Sequence, residues 1–92
     1  MARVYQTYLQ GEAHICIALV NQPGQADLCV RRVGSWGLAS GDTLWFITPD
    51  KQQANVWLYF GSIGQAQVKV CFVDNYGAVG WNQKNRFKGR FG

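Results

Sequence analysis

Five carboxylates, three thiols and one imidazole are the side chains in this sequence best suited to proton-transfer or covalent chemistry. Glu12, Asp27, Asp42, Asp50 and Asp74 are scattered along the chain. No two of them form the sequence-local acid and base pair from which a hydrolytic site could be read, since a glycosidase-type pair requires two carboxylates roughly 5 to 10 Å apart in one cleft. His14 has no orienting partner beside it, and neither Cys16 nor Cys71 has an adjacent base to activate its thiol. Cys16, Cys29 and Cys71 show no CxxC spacing, and a single histidine does not complete a Cys/His zinc set. The glycines form neither GxxxxGK[ST] nor a GxGxxG leading into a long helix, so no phosphate cradle is indicated. The expectation is a non-enzymatic chain with no catalytic residue, cofactor or metal site.

Binding chemistry is better represented. Lys84, Arg86, Lys88 and Arg90 fall within the final stretch of a chain whose net charge is +4, and they alternate with Phe87 and Phe91. Cations interleaved with aromatics can follow a phosphate backbone and stack on unpaired bases. The tail therefore suggests contact with an anionic surface or a protein partner, and single-stranded nucleic acid is the alternative. Trp57 lies on a polar strand phase, where an exposed ring could stack on a partner or cover a strand edge. No apolar run approaches the ~20 residues of a membrane span.

These side chains must be positioned by a tandem repeat. Ala13, Ala26, Ala39, Ala54, Ala66 and Ala78 recur about 12 to 15 residues apart, and a fixed period marks one unit copied along the chain. Apolar residues follow at every second position: Ile15 and Ile17, Leu28 and Val30, Val56, Leu58 and Phe60, Val68, Val70 and Phe72. That period predicts half-buried strands, with each alanine opening the inward set at a crowded position. Thr7, Asn21, Ser35, Thr48, Ser62 and Asp74 precede the alanines and are suited to capping a single helical or 3-10 turn, most clearly at Thr48-Pro49-Asp50. Gly11, Gly24, Gly37, Gly64 and Gly77 fall where such a turn must end and reverse. Copy three carries extra residues around Gly41 and Asp42, so the inward phase resumes at Thr43 and Trp45, and copy six stops at Trp81.

The fold class expected is mainly β: one compact domain of six strand-turn repeats over residues 1–81, with 82–92 as a basic segment of the same domain. The short connections predict consecutive strands that are antiparallel neighbours or lie on opposing sheets, because a parallel crossover requires a dozen residues or more. Cys16 and Cys29 share a repeat phase, so they would face each other, as thiols or as a disulfide, if their strands pair.

The phrases Gln25-Ala26-Asp27-Leu28-Cys29-Val30, Gly37-Leu38-Ala39-Ser40-Gly41-Asp42-Thr43-Leu44-Trp45 and Ala78-Val79-Gly80-Trp81 together resemble the bacterial septoil-knot domain family. The resemblance covers nearly the whole chain. It implies a deeply knotted, mainly β domain with no assigned activity or cofactor, acting as a stable structural or binding module. It also implies export to the periplasm or beyond with a signal peptide removed, the alternative being a cytoplasmic protein. Threading implies slow refolding and slower unfolding, hence kinetic stability.

Overall fold

The computed structural model describes residues 2–92, and its sheet runs β1 (Ala2–Thr7), β2 (Ile15–Leu19), β3 (Leu28–Arg32), β4 (Leu44–Ile47), β5 (Val56–Phe60), β6 (Val68–Phe72) and β7 (Gly80–Trp81). Each strand is preceded or followed by a three-residue 3-10 turn, beginning with Gln10–Glu12 and ending with Tyr76–Ala78. The alternating apolar residues of the strands close into a six-stranded barrel in the ring order β1, β5, β2, β6, β3, β4, with β4 returning to β1. Val4, Ile15, Ile17, Leu28, Val30, Trp45, Val56, Leu58, Val68 and Val70 fill its interior, while Phe60 and Phe72 are half-buried against them. Mainly β architecture and short 3-10 turns match the expectation from the repeat.

Strand direction does not. All six barrel strands pair in parallel, and only β7 is antiparallel, alongside β3. Short connections suffice because the strands are steeply staggered and the chain never returns to the starting end of the barrel. Thr7, at the end of β1, and Cys16, near the start of β2, both lie opposite Tyr59 of β5. Leu19 and Leu28 both lie opposite Val70, Ile47 and Val56 opposite Val4, and Phe60 and Val68 opposite Ile17. Each of these connections steps sideways over one strand, a span of about 10 Å at the usual spacing between strands. The chain thus makes one lap as β1, β2 and β3, then a second lap as β4, β5 and β6 in the gaps left by the first.

The irregular third copy is where the laps join. Between β3 and β4 the chain moves to the adjacent slot, with Arg32 directly opposite Trp45. The extra residues form a small loop closed by a bridge between Ser40 and Leu44, with Gly41 at φ +53°, a conformation open chiefly to glycine. Trp45 is then fully buried, as the resumed phase requires.

Two readings of the repeat are corrected. The alanines do not open the barrel interior: Ala13, Ala26, Ala39, Ala54 and Ala66 are the residues at which the 3-10 turns end, and Ala26 packs with Cys29 and Cys71 in a separate cluster outside the barrel. Ala78 is the exposed last residue of its turn. The glycines before them occupy the middle of the turns without positive φ; positive φ falls at Gly41, Gly80 and Gly89. Among the expected caps, the Thr7 and Thr48 hydroxyls accept from the N–H groups of Leu9 and Asp50 at 3.1 Å, and the Asp50 carboxylate accepts from Gln52 at 2.9 Å.

Candidate functional site

The residue after the alanine repeats one device in four copies. Its N–H donates to a carbonyl on a neighbouring strand, and its side chain accepts from the N–H of that same partner. His14 does this with Trp57, Asp27 with Lys69, Asn55 with Arg3 and Gln67 with Cys16. The side chain thereby extends the ladder by one rung where the backbone has left it. This accounts for the polar phase at these positions, and it occupies His14 and Asp27 structurally. The Glu12 carboxyl is held below its ordinary range, first by the hydroxyl of Thr7 and then by the Lys51 ammonium 3.2 Å away.

The basic tail is fastened at both ends. At its start the Asn82 amide donates to the carbonyls of Pro23 and Ala26 at 2.8 and 2.7 Å, and Gln83 donates to the Asp27 carboxylate at 2.6 Å. At its end the Asp42 carboxylate accepts from Trp81 Nε1 at 2.9 Å, from the N–H of Gly89 at 2.5 Å and from that of Phe91 at 3.1 Å. Asn55 donates from its amide to the Phe91 carbonyl at 2.9 Å. Phe91 is fully buried, stacked on Trp45 with ring centroids 5.2 Å apart. Between these anchors Asn85 accepts from the Phe87 N–H at 2.9 Å and turns the segment into a loop.

Lys84, Arg86 and Lys88 are brought together by this loop. With Trp81, Asn82, Gln83 and Asn85 they line an open groove of about 580 Å³ that has no carboxylate in its wall. Arg90 and Phe87 face elsewhere, bordering a hollow with His14 and Asn55. The two carboxylates closest in chemistry to the tail, Asp27 and Asp42, are committed to holding it down.

The aromatic part of the sequence expectation is corrected at Phe91. Phe91 is a core residue, and Phe87 is half-buried against the core beneath the Arg86 guanidinium, 4.8 Å from its ring centre. Phe91 presents no face to a base, because burying an aromatic ring in the barrel is worth more than leaving it in water, while Phe87 keeps part of its ring on the hollow it shares with Arg90. Trp57 is likewise engaged within the molecule: it stacks on His14 at 5.6 Å, meets the edge of Tyr5 at 6.1 Å and lies under the Lys51 ammonium at 5.1 Å. Trp81 and Asp42, singled out with the irregular copies, are joined to each other. The tail-holding roles of Asn55 and Asn82 were missed; only the place of Asn55 in the polar series after each alanine hinted at its importance.

The condition for Cys16 to face Cys29 is not met, since β6 separates β2 from β3. Cys29 lies directly opposite Cys71, while Cys16 is opposite Tyr59, and all three are thiols. Burial, and then the neighbouring Cys29, push the Cys71 thiol above its ordinary value. Among the described residues no group of three or more His, Cys, Asp or Glu side chains could hold a metal ion, and no helix is long and apolar enough to cross a membrane.

A family model described as the 7(1) septoil knot domain matches residues 1–82, so the match ends at Asn82, where the anchored tail begins. No curated protein and no solved structure matches the chain.

Proposed function

Since the chain belongs to the septoil-knot domain family, a family that brings no assigned activity with it, we propose that it is a non-enzymatic binding module which takes an anionic partner on its C-terminal loop. The observation that carries this reading is the convergence of Lys84, Arg86 and Lys88 on one open groove without a carboxylate in its wall. The anchors on either side support it: a loop held by Asp27, Asp42 and Asn55 presents its cations without having to be ordered on binding, which reduces the entropy lost. Four of the five carboxylates accept hydrogen bonds within the fold, which favours a structural role for them over catalysis.

Phe91 is fully buried and Phe87 borders a different hollow, which leaves half-buried Trp81 as the ring in the groove wall and favours phosphate or sulfate groups on a polyanion over a run of stacked bases. Fluorescence anisotropy with a labelled heparin fragment tests this. Binding should weaken as salt rises, with a log–log slope of about −2 to −3 for three neutralised charges. Replacing Lys84, Arg86 and Lys88 together by glutamine should reduce affinity by about tenfold or more, as expected when counterion release is lost. Affinity that is indifferent to salt, or unchanged in the triple variant, would overturn the reading. Preference for an unlabelled oligothymidine over heparin of equal charge would favour the single-stranded nucleic-acid alternative.

A further inference from the structure

Among the described residues, Cys29 and Cys71 are the one place where two thiols stand in register on adjacent strands. They are direct partners in the parallel pairing of β3 with β6. Adjacent strands run about 4.8 Å apart, inside the 4.4 to 6.8 Å window that a disulfide requires between Cα atoms. Both side chains lie outside the barrel interior, buried in one small cluster with Ala26 beneath the half-buried Val20 and Val73, so they share a face and a compartment and a reagent reaches them past those two valines. Val30 and Leu28, which flank Cys29, point into the barrel instead.

We propose that Cys29 and Cys71 are a dithiol modification site, closed to an intrachain disulfide by thiol–disulfide exchange with a small-molecule disulfide. The Cys29 thiol donates to the carbonyl of Pro23 at 3.8 Å and the Cys71 thiol to that of Phe72 at 3.7 Å, so neither sulfur is tied to a charged partner. Exchange can open at either thiol; from Cys29 it runs in two displacements. The Cys29 thiolate bonds to one sulfur of the reagent and expels the other as a thiolate, which takes up a proton. The Cys71 thiolate then attacks the Cys29 sulfur of the mixed disulfide and expels the second reagent thiol. Two protein S–H bonds are lost, one S–S bond forms, and the reagent disulfide is reduced to two thiols.

The bond would join the third strand of the first lap to the last strand of the second, enclosing all of β4 and β5 in a covalent loop. Long closed loops restrict the unfolded chain most, so the oxidised protein should unfold at higher guanidinium concentration than the reduced one. Cys16 lies opposite Tyr59, outside this unit, and takes no part in the bond.

The experiment incubates the folded Cys16→Ser chain with excess oxidised glutathione, quenches in acid, unfolds, and maps peptides by mass. The expected product has lost two hydrogens, titrates no free thiol, and yields one linked peptide pair containing Cys29 and Cys71. The chain carrying both Cys16→Ser and Cys71→Ser should stop at a single glutathione adduct on Cys29. Two remaining thiols, separate glutathione adducts on both cysteines, or a bond between chains on a non-reducing gel would each overturn the proposal. Should Cys16→Ser fold poorly, the unsubstituted chain mapped in the same way tests the same linkage: one linked peptide pair containing Cys29 and Cys71 supports it, whatever the state of Cys16, and free thiols or separate adducts on Cys29 and Cys71, or a bond from either to Cys16, overturn it.

Discussion

Asp42 shows how much one carboxylate can organise when it is placed at the seam between two laps. Its backbone carbonyl accepts from the buried Trp45 indole at 2.7 Å, and its carboxylate receives three N–H groups from β7 and the tail. Hydrogen bonds to a charged acceptor contribute about 1.5 to 3 kcal/mol each, and removing the acceptor leaves the donors unsatisfied. Asp42→Ala should therefore lower stability by about 2 to 4 kcal/mol, since water can reach the more exposed donor at Gly89. Guanidinium denaturation checks this, and a change under about 0.5 kcal/mol, the usual range for surface substitutions, would mean the clamp is ornamental. The sequence marks Asp42 as unusual only because copy three breaks the period. It does not name the partners Trp81, Gly89 and Phe91, which are distant along the chain and have no spacing relation to it. Phe91 was obscured for a related reason: amid four cations it reads as a surface residue, and only the closed barrel shows that its interior was still short of a ring.

At the level of the strand-turn unit, local physics is legible and pairing is not. Period-two apolar positions locate the barrel interior from Ile15 to Phe72, and Thr7 and Thr48 locate turn entries. Yet the same residues fit any arrangement that buries one face. The rule against short parallel crossovers holds for neighbouring strands that start at the same level. Here consecutive strands, β3 and β4 apart, are second neighbours, each starting level with the end of the one before, so the expectation of antiparallel neighbours or opposing sheets rests on a premise the fold avoids. The turn glycines make the point testable. A Cβ on Gly24, Gly37 or Gly64 would meet nothing within 4 Å, and none of the three has a positive φ, whereas Gly41 sits at φ +53°. Alanine at each of the first three should be neutral or stabilising by up to about 1 kcal/mol, through a less flexible unfolded chain. Gly41→Ala should instead destabilise by about 1 kcal/mol, the penalty for left-handed backbone. Thermal melts of the four variants separate the two groups; a loss on Gly37→Ala equal to that on Gly41→Ala would show that the turns do need glycine.

For the molecule as a whole, the order of assembly follows from the interleaving. No barrel strand finds its neighbour locally except β3 and β4; β1 must wait for β4 and β5, and β2 for β5 and β6. The first lap alone has gaps where hydrogen-bonding partners belong, so it cannot persist as a sheet until the second lap fills them. Folding dominated by such distant pairings is slow, because loop closure must be met before any ladder forms. Phe91 and the Asp42 clamp then close the structure last, placing the chain end over the seam between the laps. Unfolding has to reverse this: the tail must leave the core and the second-lap strands must withdraw from between those of the first before cooperativity is lost. Both barriers should therefore be high. Unfolding and refolding curves in guanidinium, each allowed several hours to equilibrate, should fail to superimpose, with the unfolding limb displaced to higher denaturant. Phe91→Ala, which empties part of the barrel and frees the tail, should move the unfolding limb more than the refolding limb, because its contacts form after the rate-limiting insertion. Curves that coincide within minutes would show that the laps separate and rejoin freely, and persistence would then have to be explained by equilibrium stability alone.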